Sequence, residues 1–210
     1  MNLSSMRTLV RRDLHDEDDA NYRWTDDALD RHIAHAVTDF SQAMPLEQKA
    51  TIATTSGVRE IDLSSLSGRV MIEAVEYPLG KYPASYQRFA SWGDVLTMLG
   101  DDVPNGGNAR VYYGKLHTLS SSTSTIPAKY EDLVATGAAG FAAIEWAAYA
   151  VNKVNLGGEK TPQSFMEIGK EKLGVFRGEL KRLGMRNRVR VRTLYHPLYP
   201  VMSRTTDYGP

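Results

Sequence analysis

The first residues in this chain whose types and spacing suggest chemistry are His32 and His35. Three apart in a helical stretch, they lie on one side and can share a metal ion. His15 and nearby Asp residues are available as further ligands, but spacing fixes no third one. Two histidines on a polar helix face are the plainer reading, so no metal ligand is assigned. Asp16-Glu17-Asp18-Asp19 has the acidity of a calcium loop. Counted from Asp16, however, Ala20 and Asn21 fall where an EF-hand requires an oxygen ligand and a glycine. The run reads as a solvated loop or a docking surface. Glu73 and Glu76 sit in a stretch of strand periodicity, so they point to opposite faces and are not an acid–base pair.

Other reactive patterns are missing from the sequence. There is no P-loop, GxGxxG, GxSxG or HExxH arrangement. There is also no cysteine, which removes disulfides, thiolate nucleophiles and cysteine zinc sites, and suits a reducing cytoplasm. The expectation is a protein that is not an enzyme, with no catalytic residue, metal or cofactor.

The C-terminal stretch has the look of a binding segment. Residues 186–192 place Arg at every second position, with Val189 and Val191 between, a period of two, so Arg188, Arg190 and Arg192 project from one face of an extended strand. Pro197 and Pro200 then forbid regular helix. Tyr195, Leu198, Tyr199 and Val201 supply anchors beside the arginines. Such a strip can add to a partner's sheet edge or lie in a groove. Arginine in series is also a phosphate-binding pattern.

The elements that must position these residues follow from composition and period. The chain has 210 residues, enough for one domain or a domain with an insertion, and 25 basic against 25 acidic residues. Zero net charge predicts neither nucleic-acid nor membrane binding. The charge is nevertheless uneven. Residues 1–30 hold eight acids against four arginines, and residues 177–210 hold eight bases against two acids. The N-terminus lacks a signal-peptide core, and no run of about 18 purely apolar residues occurs. The expectation is folding in a reducing cytoplasm and no membrane.

Leu3 to Leu14 predicts a short helix. Thr25 caps a second, whose stripe runs through Leu29, Ile33, Val37, Phe40 and Met44 to Pro45. Strand periodicity follows over 51–63, 70–77, 86–92, 94–99 and 109–116, with Pro and Gly between, which suggests an antiparallel sheet or small sandwich. A long helix is predicted over 125–154, ending near Gly157-Gly158. A last helix starts at Thr161-Pro162 and closes at Gly184.

The helix over 125–154 is unusually slender. Around a stripe of Leu133, Val134, Phe141 and Ile144 its circumference is mostly Ala and Gly. Glycine in a helix costs up to about 1 kcal/mol relative to Ala, so Gly137 and Gly140 want a reason. The expectation is that Ala135, Ala139, Gly140, Ala143 and Ala147 let backbones approach, within the bundle and against a neighbouring subunit.

The predicted architecture is α+β. A helical bundle of residues 1–46 and 127–185, two of its helices long and C-terminal, carries an inserted antiparallel β region of residues 47–126. An extended C-terminal arm of residues 186–210 completes it.

This layout resembles the head–tail adaptor (connector) proteins of tailed bacteriophages. The resemblance rests on Tyr22 to Asp30 leading to Ile33, Ala36, Phe40 and Met44-Pro45, and on the strands at Ala74 to Pro78 and Val111 to His117. It also rests on Thr125 to Leu133 opening the small-residue helix, and on the last helix with its arm. The resemblance implies a structural virion protein at the head–tail interface, made in the host cytoplasm. Such proteins form a ring, usually of twelve copies, that docks on the portal protein, joins capsid to tail and continues the channel for packaged DNA. It places the arm, with Arg186, Arg188, Arg190, Arg192, Tyr195, Tyr199, Arg204 and Tyr208, in the portal, and the β insertion toward a tail or neck protein. The alternatives are another neck or tail-completion protein, a nucleic-acid-binding protein using the Arg-rich arm, and a small enzyme whose site is made only by tertiary contacts.

Overall fold

The computed structural model describes residues 1–100, 102–151 and 161–195. The chain divides into two compact units, one of Met1–Pro45 with Leu116–Gly184, the other built on Leu46–Lys115. The first is helical and the second carries two antiparallel sheets, so the fold is α+β.

In the helical unit, α1 spans Leu3–Asp13 and α2 spans Asp26–Ala43. Asn2 caps α1 by accepting the Ser5 N–H, and Thr25 caps α2 by accepting the Ala28 N–H. Asp26 and Asp27 add negative charge at the positive end of α2. A turn of 3-10 helix, Ala128–Tyr130, leads into α3, Glu131–Ala150. The last helix, α4, is Thr161–Tyr195. Met6 and Val10 of α1, Leu29, Ile33 and Phe40 of α2, and Leu173, Phe176 and Leu180 of α4 surround the small face of α3. By length and composition Ala128–Ala150 could cross a membrane. Here ten of its residues are buried, packed among the other three helices.

In the second unit, β1 (Leu46–Ala53), β7 (Asn108–Lys115), β3 (Arg69–Glu76) and β4 (Tyr86–Gln87) form one sheet in that order. The other sheet is β2 (Glu60–Asp62), β6 (Val95–Met98) and β5 (Phe89–Trp92). Ile61, Leu96 and Met98 from the small sheet share one apolar layer with Val75, Ala109 and Val111 from the large one. The two sheets thus make a small sandwich.

The strands differ in detail from the sequence pattern. Pairing starts at Leu46, directly after Pro45, because β1 runs in register with β7 from Leu46↔Lys115 to Ala53↔Asn108. The predicted strand over 51–63 is broken by a turn in which Gly57 takes φ +76°, and resumes as β2. The predicted strand over 86–92 changes sheets at Arg88: Tyr86 and Gln87 pair with β3, whereas Phe89 to Trp92 pair with β6.

The largest difference is at the C-terminal end. The helix does not close at Gly184, and Arg186, Arg188, Arg190, Arg192 and Tyr195 lie on α4, not on an extended strand. Arg at every second position over seven residues is too short a pattern to fix a period against the helix already running into it. No proline intervenes before Pro197, and an interior glycine costs a helix only about 1 kcal/mol. A helix puts positions 186 and 190 on one face and 188 and 192 on another. Tyr199, Arg204 and Tyr208 lie outside the described residues, as do 152–160, where α3 was expected to end.

Candidate functional site

The slender helix and α4 are fitted to each other. A Cβ on Gly140 would lie 2.9 Å from Leu173 Cγ, and one on Gly137 would lie 2.9 Å from the Phe176 ring. From the other side, a Cβ on Gly169 would lie 2.6 Å from Ile144 Cγ1 and 3.0 Å from the Gly140 carbonyl oxygen. Glycines on both helices therefore let the two backbones approach closely. Ala135, Ala139, Gly140, Ala143 and Ala147 are buried in the same bundle. Their expected packing within one chain is seen, and α4 accounts for the two glycines of α3.

The acidic loop after α1 is a strap held by a buried charge. Arg11 donates from Nη1 to Asp16 (2.7 Å) and from Nη2 to the Trp24 carbonyl (3.0 Å) and Asp26 (2.8 Å). Asp16 also accepts the backbone N–H groups of Arg23 and Trp24. Trp24, so anchored, donates Nε1–H to the Ala142 carbonyl on α3. Its ring meets Trp146 and Phe165, and the Arg23 guanidinium lies 4.6 Å and 4.9 Å from those two rings. The strap thus joins α1, α2, α3 and α4. Sequence reading missed this. The only signal was a basic residue on the apolar side of the first helix followed by an acid five residues on.

The two helical histidines do not converge on a metal. His32 Nε2 lies 2.6 Å from Glu145 Oε2 on α3, and Arg31 shares that carboxylate. His35 instead stacks on Phe141 with ring centroids 4.0 Å apart. Among the described residues no three His, Cys, Asp or Glu side chains are grouped to hold an ion. In the β unit, Glu73 and Glu76 are both buried, and Glu76 accepts the Tyr112 hydroxyl (2.8 Å) beside Arg110.

A third histidine, His117, locks the place where the chain leaves and rejoins the helical unit. Its N–H donates to Ser41 Oγ (2.9 Å), which donates to the Val37 carbonyl. Its ring nitrogens face two carbonyl oxygens, Nδ1 at 2.9 Å from Thr125 and Nε2 at 3.1 Å from Met44. A neutral ring donates to only one of them. Burial nevertheless pushes the His117 pKa down, with the two carbonyls opposing. Burial likewise pushes His32 down against the pull of Glu145.

Both histidines therefore favour the neutral form when folded. Their contribution is complete above the unfolded histidine value of about 6.5 and is lost as pH falls toward the depressed folded values. Melting temperature should fall between about pH 7.5 and about pH 5. His32→Gln with His117→Gln should flatten that slope in a circular-dichroism melt. An unchanged slope in the double variant would contradict the assignment.

The fold and these clusters define a class: an α+β protein whose buried polar groups lock helices together. The chain belongs to the SU10 adaptor protein family, matched over residues 1–190. This bears out the resemblance to phage head–tail adaptors, a family of structural proteins, and makes the chain a phage adaptor protein and a virion component of the head–tail junction. No curated protein matches it.

Proposed function

We propose that the chain is one subunit of a ring, usually of twelve copies in such adaptors, that docks on the portal, joins capsid to tail and continues the DNA channel. The family match over residues 1–190 carries this reading, because it spans the helical unit, the β unit and most of α4. Residues 1–46 and 127–185 form the body of the ring, with packaged DNA passing through it. Residues 47–126 face a tail or neck protein, and residues 186–210 reach the portal. The arm starts as the end of α4, so its arginines act as two helix faces. Ala135, Ala139, Gly140, Ala143 and Ala147 let backbones approach closely, inside the bundle and against an adjacent subunit of the ring.

The test uses the purified chain and the portal protein of the same phage, with complex mass as the readout. Arg186→Glu with Arg190→Glu reverses one face, and Arg188→Glu with Arg192→Glu the other. At least one pair should weaken portal binding by roughly tenfold or more. If neither does, the arm assignment is wrong. If the parent chain does not bind portal, the ring-on-portal reading falls and another position in the neck replaces it.

A further inference from the structure

The inner and outer faces of α4 differ in a way the single chain does not explain. Gly169, facing inward, is in tight contact with α3. Gly174 and Gly178 are exposed, and a Cβ at either would meet nothing within 4 Å. Each lowers helix stability relative to Ala without allowing any close approach inside the chain. At 3.6 residues per turn the two glycines lie in the middle of the outer face. Ile168 and Val175 flank them on one side and are 45% and 57% exposed. Lys170, Arg177 and Lys181 flank them on the other, all exposed and without an ion pair among the described residues.

The same unit offers the complementary charge elsewhere. Glu17, Asp18 and Asp19, in the turn between α1 and α2, are exposed, as is Asp27 at the start of α2. The neighbouring acids Asp13, Asp16, Asp26 and Asp30 are taken by Lys172, Arg11 and Arg7 within the chain, whereas these four have no ion pair among the described residues. A basic face with an apolar flank and an acidic corner on the same body suit a head-to-tail contact between copies, the kind of contact from which rings are built.

We propose that the outer face of α4 receives the acidic α1–α2 corner of a second copy of this chain, packed over Gly174 and Gly178 and held by Lys170, Arg177 and Lys181. This rests on the ring reading and names the surfaces that make it. The apolar flank and the open glycines favour a protein occupant over a nucleic acid, which needs only the charge.

Charge exchange tests it. One variant carries Lys170→Glu, Arg177→Glu and Lys181→Glu; a second carries Glu17→Lys, Asp18→Lys and Asp19→Lys; a third carries all six. Association is followed by analytical ultracentrifugation of the full chain, alone and with the portal protein, across a salt series. Each single-face variant should associate at least roughly tenfold more weakly, with melting unchanged, and the six-fold variant should recover. If the single-face variants associate like the parent, or the six-fold variant stays apart, the face is wrong while the ring reading stands. If the parent associates neither alone nor on portal, both fall. If basic-face reversal abolishes binding to random duplex DNA and leaves association unchanged, the face is a phosphate contact and the proposal is overturned.

Discussion

Asp16→Ala should lower the unfolding free energy of the helical unit by about 3 kcal/mol, the lower end of the range for breaking a buried ion pair. Asp16 is 7% exposed and Arg11 5% exposed, so neither charge is solvated. Removing the carboxylate leaves the buried guanidinium with the Trp24 carbonyl and Asp26, which is itself well exposed. It also strips an acceptor from the Arg23 and Trp24 N–H groups, and a buried donor left unpaired costs about 1–3 kcal/mol. Asp26 keeps the loss from reaching the top of the range. Asp16→Asn keeps one acceptor oxygen and should lie between Ala and the parent. Replacing the pair together, Arg11→Met with Asp16→Leu, should cost less than the sum of the single changes, because no unmatched charge remains. Urea denaturation of these three variants, with Arg11→Met and Asp16→Leu made singly as well, measures this. A loss below about 1 kcal/mol for Asp16→Ala would show that the strap is held by its aromatic contacts and not by the charge.

Local signals in the sequence located most elements. Thr25 followed by Asp26 and Asp27 marks a helix start, and the structure has the cap hydrogen bond there. The run over 70–77 is rich in Val, Ile and Tyr and is closed by Pro78, and β3 occupies Arg69–Glu76. Signals that depend on distant partners were not legible. Nothing local says that Leu46 pairs with Lys115, which is what starts β1 directly after Pro45. Asp16 looked like one of four solvated acids because its partner, Arg11, is reached only by a turn back onto α1. The arginines of 186–192 satisfy a strand pattern and a helix equally well over so few residues, and the preceding helix decided the outcome. The slender helix was recognisable as needing a close neighbour. That α4 of the same chain is that neighbour required knowing that Gly169 lies opposite Gly140.

Gly169, inside the α3–α4 contact, and Gly174 and Gly178, on the outer face of α4, should respond to alanine with opposite signs. Gly169→Ala puts a methyl group 2.6 Å from Ile144 Cγ1, 3.0 Å from the Gly140 carbonyl oxygen and 3.1 Å from the Ile144 nitrogen. The side chain can shift, but the two backbone atoms belong to the central helix and cannot move without separating α3 from α4. Overpacking of this kind costs about 1–3 kcal/mol, more than the roughly 1 kcal/mol that alanine contributes through helix propensity. Gly140→Ala meets mainly the flexible Leu173 side chain and should be milder, and Gly169→Val should be worse than Gly169→Ala. Gly174→Ala and Gly178→Ala meet nothing and should each stabilise the isolated chain by about 0.4–1 kcal/mol. Denaturant titration of the five variants gives the order directly. Destabilisation by Gly174→Ala or Gly178→Ala would contradict the open space over those positions, and a neutral Gly169→Ala would contradict the close approach. The sign at 174 and 178 also bears on assembly. If those two alanines stabilise the lone chain yet weaken association between copies, only a second molecule packed over the outer face of α4 accounts for both results.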